Sequence, residues 1–132
     1  FSALLRQYQL QQTNLPDVIT YVPMHPAKQR KRGFNPAQLL AERASQLLKI
    51  PLLPLLVRPQ VNTAQVGLNR RQRLNNLHSA FELTENIPIP ARIALVDDVI
   101  TTGATADALC RLLRRAGATH ISLWTVAVTL AD

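Results

Sequence analysis

The chain has 132 residues, with 15 basic and 8 acidic side chains (net charge +7) and 47% apolar residues. This length suits one domain, and the composition excludes intrinsic disorder, while the single cysteine, Cys110, excludes a disulfide framework or a cysteine-ligated zinc cluster within the sequence. No apolar run approaches the ~18 residues of a membrane span and no signal-peptide pattern opens the sequence, so we expect a cytoplasmic protein without a membrane span.

The first predicted elements are a helical remnant and a strand. Residues 1–14 carry apolar side chains at helical spacing and begin with Phe1 rather than methionine. We therefore interpret them as the remnant of a preceding helix or linker, within a single domain over 1–132. β-branched residues over 17–22 then predict a strand that ends at Pro23.

The next helix is indicated by its N-terminus. Asn35 is a favourable N-cap, Pro36 suits the first helical position, and Gln38 completes a weak capping box. Apolar residues then recur on one face as far as Leu48. We expect an amphipathic helix that packs this face against a sheet.

The second half of the chain combines short strands with one long helix. An apolar run over 93–96 ends at Asp97 and Asp98, which indicates a buried parallel strand with a site at its carboxyl end. We predict further strands over 52–57, 79–83 and 120–129, and a helix over 104–116 followed by Gly117. Repeated strand–helix–strand units predict an α/β domain with a mostly parallel, twisted sheet flanked by helices.

Two connections exceed the usual length of about two to six residues, and both carry clustered positive charge. Residues 23–32 contain Lys28, Arg30, Lys31 and Arg32, and residues 58–78 contain Arg70, Arg71 and Arg73. Loops of this length are either functional or disordered. The basic clusters are either solvated surface or sites that attract phosphate or nucleic acid.

The segment over 93–105 carries the clearest chemistry. A buried strand delivers Asp97 and Asp98 to the carboxyl edge of the sheet, and a turn of threonines and glycine then leads into a helix. Backbone N–H groups, threonine hydroxyls and the positive end of the helix dipole form a phosphate cradle. The two carboxylates would repel that phosphate unless they bound hydroxyl donors, and the vicinal hydroxyls of a sugar are suitable. The arrangement therefore predicts a ribose 5-phosphate site.

Two other interpretations of this segment are weaker. An acidic strand end can precede a capped helix without any function. A metal site made of carboxylates alone is disfavoured because nothing nearby supplies further ligands of the right kind, so we predict no protein-bound metal.

The same segment resembles the phosphoribosyl-pyrophosphate (PRPP) signature of type I phosphoribosyltransferases. That signature consists of four apolar residues, two acidic ones and a Thr-Thr-Gly-x-Thr loop, here residues 93–105. The resemblance extends over about 15–130 to the ComF/GntX family of phosphoribosyltransferase-like proteins. The additional matching positions are Arg32-Gly33-Phe34-Asn35, Arg58, Thr63, Gln65, Arg73, Asn76 and Ala80-Phe81. Family members usually carry a four-cysteine zinc module ahead of this domain, and this sequence does not contain it.

The resemblance implies a type I phosphoribosyltransferase fold and a role for each part of the site. Asp97 and Asp98 would bind the ribose hydroxyls. The 5′-phosphate would be bound by Thr101, Thr102, Gly103, Ala104 and Thr105. The pyrophosphate would meet Met24, His25 and Arg32, and Mg²⁺ would arrive on the substrate oxygens. Residues 58–76 would form a hood over PRPP, in which Arg71 and Arg73 are the catalytic candidates.

The resemblance implies a glycosyltransferase that acts on PRPP, of the kind linked to competence and DNA uptake. Phosphoribosyltransferases that use purines often have an aspartate at the first loop position, and Thr101 occupies it here, so a 6-oxopurine acceptor is not expected. The alternative is a non-catalytic competence protein that senses PRPP and binds single-stranded DNA through the two basic clusters. The acceptor and the quaternary state, including a homodimer, are left open.

Overall fold

The computed structural model describes residues 15–59, 81–100 and 103–128. The predicted helix within 1–14 and the residues from 60 to 80, which include Arg71 and Arg73, lie outside the described residues. So do Thr101 and Thr102.

The described residues form five strands and three helices, most of them where the sequence pattern predicts such elements. In chain order these elements are β1 (Val18–Tyr21), α1 (Pro26–Arg32), α2 (Pro36–Leu48), β2 (Leu56–Val57), β3 (Glu82–Leu83), β4 (Arg92–Ile100), α3 (Ala104–Arg115) and β5 (His120–Val128). No helix in these ranges combines the length and the apolar character that a membrane crossing requires.

The main sheet is parallel and has β4 at its centre. Its strand order is β1-β4-β5, with Val18 opposite Ile93 and Arg92 opposite His120. The separate pair β2-β3 is antiparallel. This topology confirms the predicted α/β architecture with helices against a parallel sheet.

Alternation along the central strand divides the core between the two sheet faces. Ala94 and Val96 face α2 and pack with Ala44 and its neighbours. Ile93 and Leu95 belong to the opposite cluster, which includes Leu109 of α3. Because side chains alternate along a strand, a strand covered on both faces must be a continuous apolar run, as this one is up to Val96.

The predicted start of α2 is confirmed in part. The Asn35 side chain accepts a hydrogen bond from the Ala37 N–H at 3.1 Å, as an N-cap does. The predicted capping box is wrong, because the Gln38 side chain does not accept from the Asn35 N–H and its NH₂ group instead donates to Glu42 at 3.3 Å. Glu42 lies four residues after Gln38 on the same helix face, and this contact directs the Gln38 side chain away from the helix N-terminus.

The predicted long loop over 23–32 is wrong in its second part. Residues from Pro26 to Arg32 form α1, with proline at the start and Gly33 at the end in the left-handed region (φ 89°). His25 caps the helix, since its Nδ1 accepts from the Ala27 N–H at 3.1 Å. Proline preset for the first turn and glycine free to adopt positive φ explain this short helix.

Two predicted strands differ from the observed ones. The strand over 52–57 is reduced to β2, and Leu52 makes an isolated parallel bridge to Ile19. β4 does not stop at the acidic pair but continues to Ile100, because β5 pairs with it as far as Val128. An adjacent strand therefore extends β4 beyond the apolar run on which the prediction was based.

Candidate functional site

Asp97 and Asp98 lie on the central strand just beyond the end of β1. The last paired residue of β1, Tyr21, is opposite Val96, and the Val22 N–H donates to the Val96 carbonyl at 2.9 Å. On the other side, β5 still accompanies β4 and places Thr125 opposite Asp97. The acidic pair is therefore half-buried at a step in the carboxyl edge of the sheet.

The two aspartates are connected by hydrogen bonds. The Asp98 backbone N–H donates to Oδ1 of Asp97 at 2.9 Å. The Asp98 carbonyl accepts from the Thr125 hydroxyl at 3.2 Å. The pair is thus part of an ordered polar group at the end of an otherwise apolar strand.

This environment shifts the pKa of one member of the pair. Burial, a side-chain hydrogen bond with Asp98 and the negative charge of Asp98 raise the pKa of Asp97 to about 6, against the lowering effect of the Asp98 N–H. No lysine or arginine of the described residues forms an ion pair with either carboxyl group. At neutral pH the site therefore presents carboxylate oxygens that can accept hydrogen bonds from a ligand.

The helix that follows begins differently from the other two. Gly103 precedes α3 with a φ of 81°, in the left-handed region, and no side chain of the described residues caps the helix. In contrast, α1 and α2 are capped by His25 and Asn35. A Cβ atom at Gly103 would meet no atom of the described residues within 4 Å, so the backbone angle is what favours glycine here.

The structure separates the residues predicted to meet pyrophosphate. Met24 and His25 follow β1 and share the carboxyl edge with the acidic pair, because β1 and β4 are parallel. Arg32 is at the other end of α1, about 10 Å away at 1.5 Å per residue. Its guanidinium lies over the ring of Phe34, 5.5 Å from the centroid. Arg32 is therefore part of an exposed basic surface rather than of one continuous loop with His25.

Thr125 is a site residue that the sequence analysis missed. It is a half-buried hydroxyl within the apolar residues of β5, and its partner Asp98 is 27 residues away in the sequence. A polar residue inside a strand otherwise rich in apolar side chains was the available signal. Its meaning depends on the register between β4 and β5, which the sequence pattern does not give.

The chain is similar to curated proteins of competence and DNA utilization. It is 41% identical over 119 residues to competence protein F of Haemophilus influenzae, covering 88% of this chain and 52% of that protein. It is 36% identical over 118 residues to DNA utilization protein YhgH of Escherichia coli K12, covering 88% of this chain and 51% of the relative. The chain thus spans about half the length of these relatives. No protein-family model matches it.

Solved structures show the same fold at low sequence identity. Purine phosphoribosyltransferase from Pyrococcus horikoshii matches with a TM-score of 0.55 and 20% identity, over 96% of this chain and 68% of that one. Glutamine PRPP amidotransferase from B. subtilis matches with a TM-score of 0.61 and 18% identity, over 94% of this chain and 25% of that one. Together the comparisons confirm the predicted resemblance: the chain is similar in sequence to these competence and DNA-utilization proteins and has the fold of type I phosphoribosyltransferases.

Proposed function

We propose that this domain binds PRPP in the cytoplasm and transfers its phosphoribosyl group to an acceptor, with release of pyrophosphate. The observation that carries the proposal is the position of Asp97 and Asp98. They lie side by side and half-buried at the carboxyl end of the central parallel strand, shortly before the start of α3. Ligands of open α/β sheets bind at this edge.

The acidic pair suits the ribose part of the substrate. Two adjacent carboxylates without an ion-pair partner among the described residues have free acceptor sites. Vicinal sugar hydroxyls supply two neighbouring donors, and hydrogen bonds to an ionised acceptor are stronger than neutral ones. Hydroxyl donors would also stabilise the ionised form of Asp97, whose pKa is raised mainly by burial and also by the neighbouring Asp98.

The start of α3 suits the 5′-phosphate. The N-terminus of α3 follows the carboxyl end of β4, so its backbone N–H groups and the positive end of its dipole lie where an anion would bind. Of the residues predicted to bind the 5′-phosphate, the structure describes Gly103, Ala104 and Thr105. The exposed Thr105 adds a hydroxyl on the first turn.

The pyrophosphate and its Mg²⁺ form the remaining part of the substrate. The described residues contain no cluster of three or more metal-ligating side chains, and in this proposal Mg²⁺ is bound by pyrophosphate oxygens and water. Met24 and His25 at the same sheet edge would contact the pyrophosphate. Arg71 and Arg73 remain the predicted groups that stabilise its developing charge as it leaves.

Calorimetric titration with PRPP and with ribose 5-phosphate, with and without Mg²⁺, tests the binding step. Asp97→Asn and Asp98→Asn should each weaken binding by at least tenfold. Glu85→Gln, which removes an exposed carboxylate from the turn after β3, is the matched control and should bind as the wild type does. Failure of the wild-type protein to bind either ligand would contradict the proposal.

The transfer step has its own assay. Release of pyrophosphate from PRPP should be measured across a panel of nucleobases and other nucleophiles, with the Asp97→Asn variant as the inactive control. Release that requires an acceptor would identify the acceptor class. Binding of PRPP without release under any condition would leave a PRPP sensor and contradict the transferase.

A second candidate function is binding of single-stranded DNA, which the surface of α1 favours. None of the α1 residues is buried, three basic residues occupy its last turn, and Arg32 lies over the exposed ring of Phe34. Cations for phosphates next to an aromatic face for bases are the components of a single-strand site. One of the similar proteins is named for DNA utilization.

Replacement of Lys28, Arg30 and Lys31 by alanine tests the DNA candidate. Binding of an oligothymidylate should weaken, and its dependence on salt should become less steep, because fewer counterions are released. Replacement of the exposed Arg111, Arg114 and Arg115 on α3 removes the same charge elsewhere and serves as the control. Equal effects of the two triple variants would show that DNA binding depends on net charge alone, which would contradict a specific DNA site on α1.

A further inference from the structure

Thr125 lies on β5 next to the acidic pair. The parallel register places it opposite Asp97, and neighbouring strands are about 4.8 Å apart. Its hydroxyl donates to the backbone carbonyl of Asp98, with 3.2 Å between the two oxygens. A side chain of one strand thus binds the main chain of the next strand at the candidate site.

Both backbone polar groups of Asp98 are bonded to side chains. Its N–H donates to the Asp97 carboxylate at 2.9 Å, and its carbonyl accepts from Thr125. Hydrogen bonds on both sides of the Asp98 Cα atom restrict its backbone rotation. That rotation determines where the Asp98 carboxylate lies relative to the carboxylate of Asp97.

The strand itself does not require a hydroxyl at this position. β5 consists mainly of apolar and β-branched residues, and valine would have nearly the same shape as threonine and a similar preference for strands. The difference between the two residues is the group that donates to Asp98. Valine at this position would therefore remove the hydrogen bond to the Asp98 carbonyl.

We propose that Thr125 is a positioning residue, which holds the Asp98 backbone so that the two carboxylates can jointly accept hydrogen bonds from the vicinal hydroxyls of a ribose phosphate. The ligand in this inference rests on the proposed function. The restriction of the Asp98 backbone by this hydrogen bond is a property of the free protein and can be measured without any ligand.

The experiment compares Thr125→Val, Thr125→Ser and, as a matched control, Ser122→Ala, which removes an exposed hydroxyl from the same strand. Amide hydrogen exchange of Asp98 is followed by NMR in the free protein, and ribose 5-phosphate binding is measured by calorimetry. Thr125→Val should accelerate exchange at Asp98 and raise the Kd about two- to tenfold, the effect of one lost hydrogen bond. Thr125→Ser should restore both values, and Ser122→Ala should change neither.

The two measurements separate failure of this inference from failure of the proposed function. Unchanged exchange at Asp98 and an unchanged Kd in Thr125→Val would overturn the positioning role, as would a serine variant that behaves like valine. If the wild-type protein binds neither ribose 5-phosphate nor PRPP, the proposed function fails and the positioning role for these ligands fails with it. Faster amide exchange at Asp98 in Thr125→Val would then still show that Thr125 restricts the Asp98 backbone in the free protein. If the valine variant does not fold, Thr125→Ala replaces it in the same comparison.

Discussion

Asn35 connects the end of the first strand to the start of α2, since its side-chain amide donates to the Val22 carbonyl at 3.1 Å. The oxygen of the same amide accepts from the Ala37 N–H, so both ends of one side chain are bonded. Asn35 is 4% exposed, and a buried polar group of this kind stabilises only when its partners are present. This contact fixes where the chain returns to the sheet after α1.

Asn35→Ala should therefore lower the free energy of unfolding by about 1–3 kcal/mol, because it removes the cap and leaves the Val22 carbonyl without its donor. Asn35→Asp keeps the cap but cannot donate, and should lie between the alanine variant and the wild type. The free energies of unfolding are measured by chemical denaturation and compared between variants whose dependence on denaturant concentration is the same. Equal stability of the alanine and wild-type proteins would show that the bridge contributes nothing.

Gly103→Ala should cost about 1 kcal/mol of stability, because an alanine at a φ of 81° is strained even though a Cβ there meets no atom. If the start of α3 binds phosphate, the same variant should also weaken ribose 5-phosphate binding. Gly117→Ala, at a φ of 121° at the other end of α3, is the control for strain alone. It should lose a comparable amount of stability without any change in ligand affinity.

The raised pKa of Asp97 predicts a pH-dependent stability. The pKa of Asp97 is about 6 in the folded protein, compared with 3.8 for an unperturbed aspartate. As the pH rises, the folded protein therefore keeps this proton to a higher pH than the unfolded chain does. The contribution of Asp97 to the free energy of unfolding should therefore be fully present below about pH 4 and should be lost as the pH rises through about 6. The loss is about 1–2 kcal/mol, allowing for the solvent exposure of the half-buried group.

The measurement is denaturation as a function of pH for the wild type and for Asp97→Asn. The asparagine variant should lack the decline over this range, and Asp107→Asn should retain it. A decline of the same size in Asp97→Asn would assign the effect to another group.

Phe34→Leu tests the aromatic part of the α1 surface. The ring is 44% exposed, so the substitution should leave the free energy of unfolding within about 0.5 kcal/mol. If bases stack on the ring, affinity for an oligothymidylate should fall at least about fivefold. Leu39→Ala, which trims another exposed apolar residue, is the control and should leave DNA affinity unchanged. No effect of Phe34→Leu would restrict the surface to phosphate contacts.

The sequence alone determined the parts of the molecule that depend on local patterns. The apolar run before Asp97 and Asp98 predicted a strand buried on both faces, because such a strand has no polar side to alternate with. Asn35 before Pro36 predicted the start of α2, because capping is a contact between close neighbours in the chain. The fold class followed from the order of these elements.

Only the tertiary structure decided the features that depend on contacts across strands. The extension of β4 to Ile100 and the contact between Thr125 and Asp98 both depend on the register of β5. The raised pKa of Asp97 arises from burial and from the charge of its neighbour, which no local pattern quantifies. Residue types and spacing are written in the chain, whereas register and burial result from packing segments that lie far apart in it.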